Sequence, residues 1–156
     1  MSNLYETDVL LWSEEQARAL RAAARGRTNP PIDWENVAEE IESLGNSLAR
    51  ELASRISTIL IHLMKLEASP ATEPRIGWAE TIREQRDEIV RVLKEAPSLR
   101  RTVSAVIDEE LRVARRRVYA ALADHGEQSR IAIGTLTFTE DQVLGDWFPG
   151  TGHPTP

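Results

Sequence analysis

The chain has 156 residues and contains no cysteine. This absence excludes disulfides, thiolate metal sites and thiol nucleophiles, and a reducing cytoplasm is the simplest location that it predicts. The first residues lack the basic and apolar segments of a signal peptide, and no apolar run approaches the roughly 18 residues of a membrane span. We expect a soluble, cytoplasmic protein that has no membrane association and needs no cofactor.

Lysine is also scarce, since Lys65 and Lys94 are the only two, and arginine supplies nearly all of the positive charge. The formal net charge is −6. Bulk attraction to a nucleic acid or an anionic membrane therefore cannot organise the function. The arginines clustered within residues 112–117 are interpreted as a solvated helix face with acidic neighbours.

Apolar residues at helical spacing predict an almost entirely helical chain. Ser13 and Gln16 have the spacing of a capping box, which predicts a short first helix that ends at Gly26. The segment 27–32 is predicted to be a turn. Residues 69–77 contain two prolines and are predicted to be a loop. A third helix is predicted from Trp78 to Pro97, where the proline ends it.

Residues 34–68 carry one continuous apolar stripe, which predicts a single long helix with Asp33 as its N-cap. The stripe is formed by Trp34, Val37, Ile41, Leu44, Leu48, Leu52, Ile56, Ile59, Leu63 and Leu66. Gly45 lies within this segment, but the stripe keeps its phase on both sides. We expect no break there, and we expect Gly45→Ala to be tolerated unless a neighbouring helix packs directly on the glycine.

Ser98 is predicted to cap a fourth helix, from Leu99 to about Asp124, and Gly126 is predicted to stop it. Thr139 with Gln142 predicts one last short helix. Together these elements predict an all-α, four-helix-bundle-like single domain over residues 1–149, with one long central helix and a short C-terminal helical tail. Residues 150–156 are predicted to be a disordered tail.

Several short motifs resemble the bacterial domain-of-unknown-function family numbered twenty-nine. The motifs are Tyr5-Glu6-Thr7-Asp8, Leu11-Trp12, the run Glu39-Glu40-Ile41-Glu42-Ser43-Leu44-Gly45, His62-Leu63-Met64-Lys65, Trp78 with Thr81-Ile82, Gln85-Arg86 and Pro97-Ser98-Leu99. The resemblance covers about Tyr5 to Pro149. It implies a nearly all-helical fold and no particular activity.

Some polar residues lie on or beside the predicted apolar faces and form a candidate polar layer. These residues are Glu40, Glu51, Arg55, His62, Gln85, Arg86, Glu110 and Arg117. A buried arginine needs partners, so we expect Arg55 and Arg86 to pair with carboxylates of this set. We also expect Gln85 and Arg86 to be buried and bonded to another helix.

Two functional hypotheses follow from the polar layer and the helical fold. The preferred one is a protein-interaction or self-association module, whose partner is a second copy or another protein. The alternative is a metal-independent ribonuclease centred on Arg55 and His62, because their spacing is similar to the Arg-to-His motif of the HEPN superfamily. No Glu-x-x-His pair or other metal-ligand spacing supports a metal site.

Overall fold

The computed structural model describes residues 4–26 and 33–150, and it confirms the all-α class. The helices are α1 (Leu4–Thr7), α2 (Val9–Arg25), α3 (Trp34–Ala68), α4 (Arg75–Glu95), α5 (Val103–Asp124) and α6 (Glu140–Leu144). Two short 3₁₀ helices cover Pro97–Thr102 and Ile133–Thr135. No β-strand occurs in these described ranges.

Helix α2 begins earlier than the sequence predicts, because its N-cap is Asp8 and not Ser13. The Asp8 carboxylate accepts a hydrogen bond from the Leu11 N–H at 2.9 Å. Ser13 lies inside the helix, is completely buried, and donates to the Leu10 carbonyl. The predicted capping box was wrong, since a serine inside a helix can satisfy its hydroxyl on the preceding turn. The predicted end at Gly26 is confirmed.

Helix α3 is one unbroken helix of 35 residues, as predicted. Asp33 caps its first turn by accepting from the Asn36 N–H. Two arginines satisfy carbonyls at its other end: Arg75 donates to Leu66, and Arg130 donates to Ser69, just beyond the helix. Cationic donors are favourable there because the carbonyls at a helix C-terminus lack intrahelical partners.

Gly45 allows helix α2 to approach helix α3 closely. A Cβ atom built on Gly45 would overlap the Ser13 hydroxyl and would lie 2.7 Å from Leu10 Cδ1 and 3.1 Å from Leu10 Cα. The Leu10 backbone cannot move aside as a flexible side-chain end could. A neighbouring helix thus packs directly on Gly45, and we therefore expect Gly45→Ala to destabilise the protein.

The start of helix α5 also differs from the prediction. The 3₁₀ helix Pro97–Thr102 precedes it, and α5 begins at Val103. Ser98 does not cap α5, because its N–H and its hydroxyl both donate to the Asp8 carboxylate, at 2.7 and 3.1 Å. Asp8 thus caps α2 and anchors the 3₁₀ helix at the same time.

Helix α4 begins at Arg75, three residues before the predicted start at Trp78, because a proline just before a helix does not prevent its first turn. The remaining helix ends follow the sequence signals. Gly126 has a φ of 64°, a left-handed conformation that glycine adopts readily, and it follows the end of α5 as predicted. Thr139 and Gln142 form a reciprocal capping box at the start of α6. The short C-terminal helix is therefore confirmed.

The chain divides into two compact units, one from residues 1–52 with 90–101 and the other from residues 53–89 with 102–156. The buried apolar residues of the first unit, among those described, are Leu10, Ala17, Ala38, Leu52, Val92, Ala96 and Leu99. The core of the second unit contains Ile56, Ile59, Leu60, Leu63, Met64, Ile82, Ile89, Val103, Val118, Ile133 and Val143. A single domain over residues 1–149 stays a prediction.

Two sequence predictions lie outside the described residues, namely the turn at 27–32 and the tail beyond Gly150. Over the described parts of the chain, no helix combines the length and the apolar character that crossing a membrane requires.

We expect Gly45→Ala to lower the free energy of unfolding by about 1–3 kcal/mol, because the added methyl group must displace α2 from α3. Chemical denaturation followed by circular dichroism measures this change. The matched control is Gly77→Ala in α4, where no atom lies within 4 Å of the added Cβ. The control should change stability by less than about 1 kcal/mol, in the stabilising direction. Equal effects of the two substitutions would contradict close packing at Gly45.

Candidate functional site

Arg55 lies at the centre of a polar cluster between helices α3 and α4. Its guanidinium donates to the Gln85 side-chain oxygen at 3.2 Å and lies 3.5 Å from the Glu88 carboxylate. The expected carboxylate partner therefore exists, and it includes Glu88, which the sequence analysis did not name. Glu88 follows Gln85 by three residues, a spacing that places both on one helix face, so the sequence contained the signal.

His62 lies two turns after Arg55 on helix α3 and is partly buried. Its Nδ1 atom is inaccessible to solvent and has no hydrogen-bond partner in the described structure. Burial lowers the pKa of the imidazole, and the positive charge of Lys65 lowers it further. The ring is therefore held in its neutral form over a wider pH range than a free histidine.

Arg86 fastens the C-terminal segment to helix α4. Its side chain is 8% exposed. Nε donates to the Val143 carbonyl at 2.9 Å, and Nη2 donates to the carbonyls of Gln142 and Trp147, both at 2.8 Å. The guanidinium carbon also lies 4.9 Å from the centre of the Phe148 ring. Burial and bonding of Arg86 to another helix are confirmed, but its partners are backbone carbonyls, not the expected carboxylates.

The other members of the candidate polar layer have varied surroundings. Gln85, Glu51 and Glu110 are partly buried, whereas Glu40 and Arg117 are exposed. Gln85 is bonded to another helix, as expected, through Arg55 of α3. A shared role for the whole set stays a prediction.

The first half of α3 presents apolar side chains that its neighbours cover incompletely. We call Val37, Ile41, Leu44 and Leu48 the α3 seam. Val37 is 39% exposed and Leu44 is 49% exposed, while Ile41 and Leu48 are partly buried. The stripe in the second half of the same helix, from Leu52 to Leu66, is at most 7% exposed. The steps of four, three and four residues along the seam are those of a coiled-coil heptad.

The α3 seam is only partly exposed because helix α2 packs along one of its edges. Ala38 and Gly45 are buried, and α2 packs against Gly45, so α2 reaches only one side of the apolar stripe. The open side carries Glu40 and Ser47, which are both exposed. An apolar stripe open along one side can accept the apolar face of another helix.

The segment around the α3 seam is strongly acidic. Residues 34–49 contain four glutamates and no lysine or arginine. Arg21 of α2 binds Glu35 at 2.8 Å and Glu42 at 3.1 Å, and these glutamates raise the pKa of Arg21. Glu39 and Glu40 remain exposed to solvent. The open side of the seam therefore carries an exposed carboxylate at Glu40.

The described residues contain no group of three histidine, aspartate or glutamate side chains that could hold a metal ion. The fold defines an all-α protein in which the apolar stripe of α3 is partly exposed. The chain belongs to the family described as domain of unknown function DUF29, whose model matches residues 4–148. This confirms the resemblance found in the sequence.

A solved structure is similar to this chain over nearly its whole length. It is the crystal structure of an α-helical protein of unknown function from Rhodospirillum rubrum, with 26% sequence identity and a TM-score of 0.75. The match covers 95% of this chain and 93% of the other. No curated protein matches the chain in sequence. The comparisons therefore support the family and the helical fold.

We expect Arg86→Met to lower the free energy of unfolding by about 2–4 kcal/mol, because it removes the donors from three backbone carbonyls. Thermal and chemical denaturation measure the loss. The control is Arg83→Met, since Arg83 also lies over the Phe148 ring, at 5.0 Å, but is exposed. A loss as large in the control as in Arg86→Met would assign the effect to Phe148 and not to the carbonyls.

His62 should make stability depend on pH. Its pKa is lowered in the folded protein from the usual value of 6.5, so the unfolded chain takes up a proton first as the pH falls. Stability should decrease as the pH drops below about 6.5 towards the lower pKa of the folded state. His62→Gln should flatten this dependence, measured as melting temperature against pH. An unchanged profile in His62→Gln would refute the assignment.

Proposed function

We propose that this protein is an interaction module that binds an amphipathic helix of a partner protein through the α3 seam. The observation that carries the proposal is the contrast within one helix. The apolar stripe is fully covered from Leu52 to Leu66, while Val37 and Leu44 of the same stripe are exposed.

Charge determines the kind of helix that fits. Two copies of this chain that paired through their α3 seams would bring together two segments that each expose Glu39 and Glu40 and contain no lysine or arginine between residues 34 and 49. That juxtaposition is repulsive. A helix with apolar residues at heptad spacing and basic residues beside them would instead cover the leucines and meet Glu40 with opposite charge.

The polar cluster does not favour the ribonuclease hypothesis. A phosphate-binding arginine needs a guanidinium that the substrate can reach, but Arg55 already contacts Gln85 and Glu88. A catalytic histidine must present a ring nitrogen to its substrate at hydrogen-bond distance, and the burial of Nδ1 leaves only Nε2 of His62 for that role. These contacts are those of a cluster that holds α4 against α3.

Three helical peptides of equal length test the proposal by isothermal titration calorimetry. One has leucine at the heptad core positions and lysine beside them, the second has glutamate beside the same core, and the third is a scrambled lysine peptide. Only the first should bind well, because it combines both complementary features. Leu44→Ser should weaken its binding at least about tenfold, since a buried leucine contributes about 1.5–3 kcal/mol.

The matched control is Ile76→Ser, which removes an exposed apolar side chain from α4 and should leave the binding unchanged. Equal binding of the scrambled peptide would reduce the effect to nonspecific charge and contradict the proposal. Analytical ultracentrifugation measures the oligomeric state, and it could contradict the proposal in a second way. A dimer that Leu44→Ser dissociates would identify the occupant of the seam as a second copy.

A further inference from the structure

A small pocket lies in the second unit, where the end of α3, the start of α4 and the end of α5 meet. Its volume is about 160 Å³. Its polar lining consists of Lys65, Ser69, His125 and Glu127, and Trp78 and Leu122 are the large apolar side chains beside them. None of these residues belongs to the α3 seam, so the pocket is independent of the proposed interaction surface.

Lys65 and Glu127 give the pocket one positive and one negative charge, and each contacts a different neighbour. Lys65 Nζ lies 5.7 Å from the centre of the Trp78 ring, on its face. Glu127 accepts a hydrogen bond from the Ser69 hydroxyl at 2.6 Å. In this described part of the chain, Lys65 and Glu127 form no ion pair with each other. Space between opposite charges in a shared pocket can admit a ligand that contacts both.

The remaining walls of the pocket are largely apolar. Trp78 presents an indole, and Leu122 is only 6% exposed. Pro74 completes this side. Aliphatic groups gain free energy by leaving water for such walls, so a ligand with an apolar body fits better than a bare ion.

We propose that this pocket binds a small zwitterion of the α-amino acid class, with an aliphatic side chain. Lys65 contacts the carboxylate, Glu127 contacts the ammonium group, and Trp78 with Leu122 packs against the side chain. An anion alone would leave Glu127 uncompensated, and a cation alone would leave Lys65 uncompensated. A neutral apolar ligand would desolvate both charges without replacing their contacts with water.

The size of the pocket agrees with this class of ligand. Pockets for drug-sized molecules have volumes of roughly 300–1,000 Å³. At about 160 Å³, this pocket accommodates a single amino acid but not a dinucleotide or a long peptide. We therefore choose L-leucine as the probe.

Titration of the full-length protein, followed by two-dimensional NMR of backbone amides, tests the proposal. L-leucine at millimolar concentration should shift the amide signals of Trp78 and Leu122. Two analogues separate the charges: 4-methylpentanoate lacks the ammonium group, and isoamylamine lacks the carboxylate. Each analogue should bind at least about tenfold more weakly than L-leucine, because each leaves one protein charge unpaired.

Variants assign the two contacts. Lys65→Met and Glu127→Gln should each weaken binding at least about tenfold, and Lys65→Arg should restore part of it. Lys94→Met is the matched control, because Lys94 is the only other lysine and does not line the pocket. It should bind L-leucine as the wild type does.

Several results would overturn the proposal. One is the absence of any shift with every standard amino acid at millimolar concentration. Another is equal affinity for L-leucine and 4-methylpentanoate, which would define an anion site instead. Unchanged binding in both Lys65→Met and Glu127→Gln would place the ligand elsewhere. The analogue series uses the wild-type protein, so it stays decisive even if a variant fails to fold.

Discussion

Helix α3 imposes the main physical constraint on this protein, because its 35 residues contribute to both compact units. A long apolar stripe must be covered along its whole length or remain in contact with water. In the second unit, the stripe from Ile56 onward is buried. In the first unit, the approach of α2 at Gly45 covers only one edge of it. The covered part of the stripe contributes to the core, and the uncovered part forms the proposed interaction surface.

Arginine side chains repeatedly satisfy backbone carbonyls at the ends of helices and in loops. Arg86 donates to three backbone carbonyls in and after α6. Three other arginines each donate to one backbone carbonyl: Arg75 to that of Leu66, Arg115 to that of Leu136 and Arg130 to that of Ser69. A guanidinium has five donors in a fixed plane, so one side chain can serve several acceptors, whereas lysine is a flexible point charge. This use of arginine is consistent with a chain that has only two lysines.

The two proposals concern different parts of the chain and different chemistry. The α3 seam belongs to the first unit and offers a long apolar stripe beside glutamates. The pocket belongs to the second unit and offers one lysine and one glutamate beside apolar walls. A helix fits the former because its apolar side chains repeat at the same spacing. A single small molecule fits the latter because the pocket is small.

The sequence by itself determined the helices and most of their ends, because helical periodicity and capping are local properties. The unbroken α3, the stop after Asp124 and the Thr139 capping box were predicted in this way, and the family was identified from short motifs. Only the tertiary structure decided which polar groups meet. Asp8 caps α2 and also binds Ser98, 90 residues away, and Arg86 binds carbonyls whose positions depend on the fold of a distant segment. Exposure of Val37 and Leu44 was likewise decided by tertiary packing, because an apolar stripe does not specify how far its neighbours extend over it.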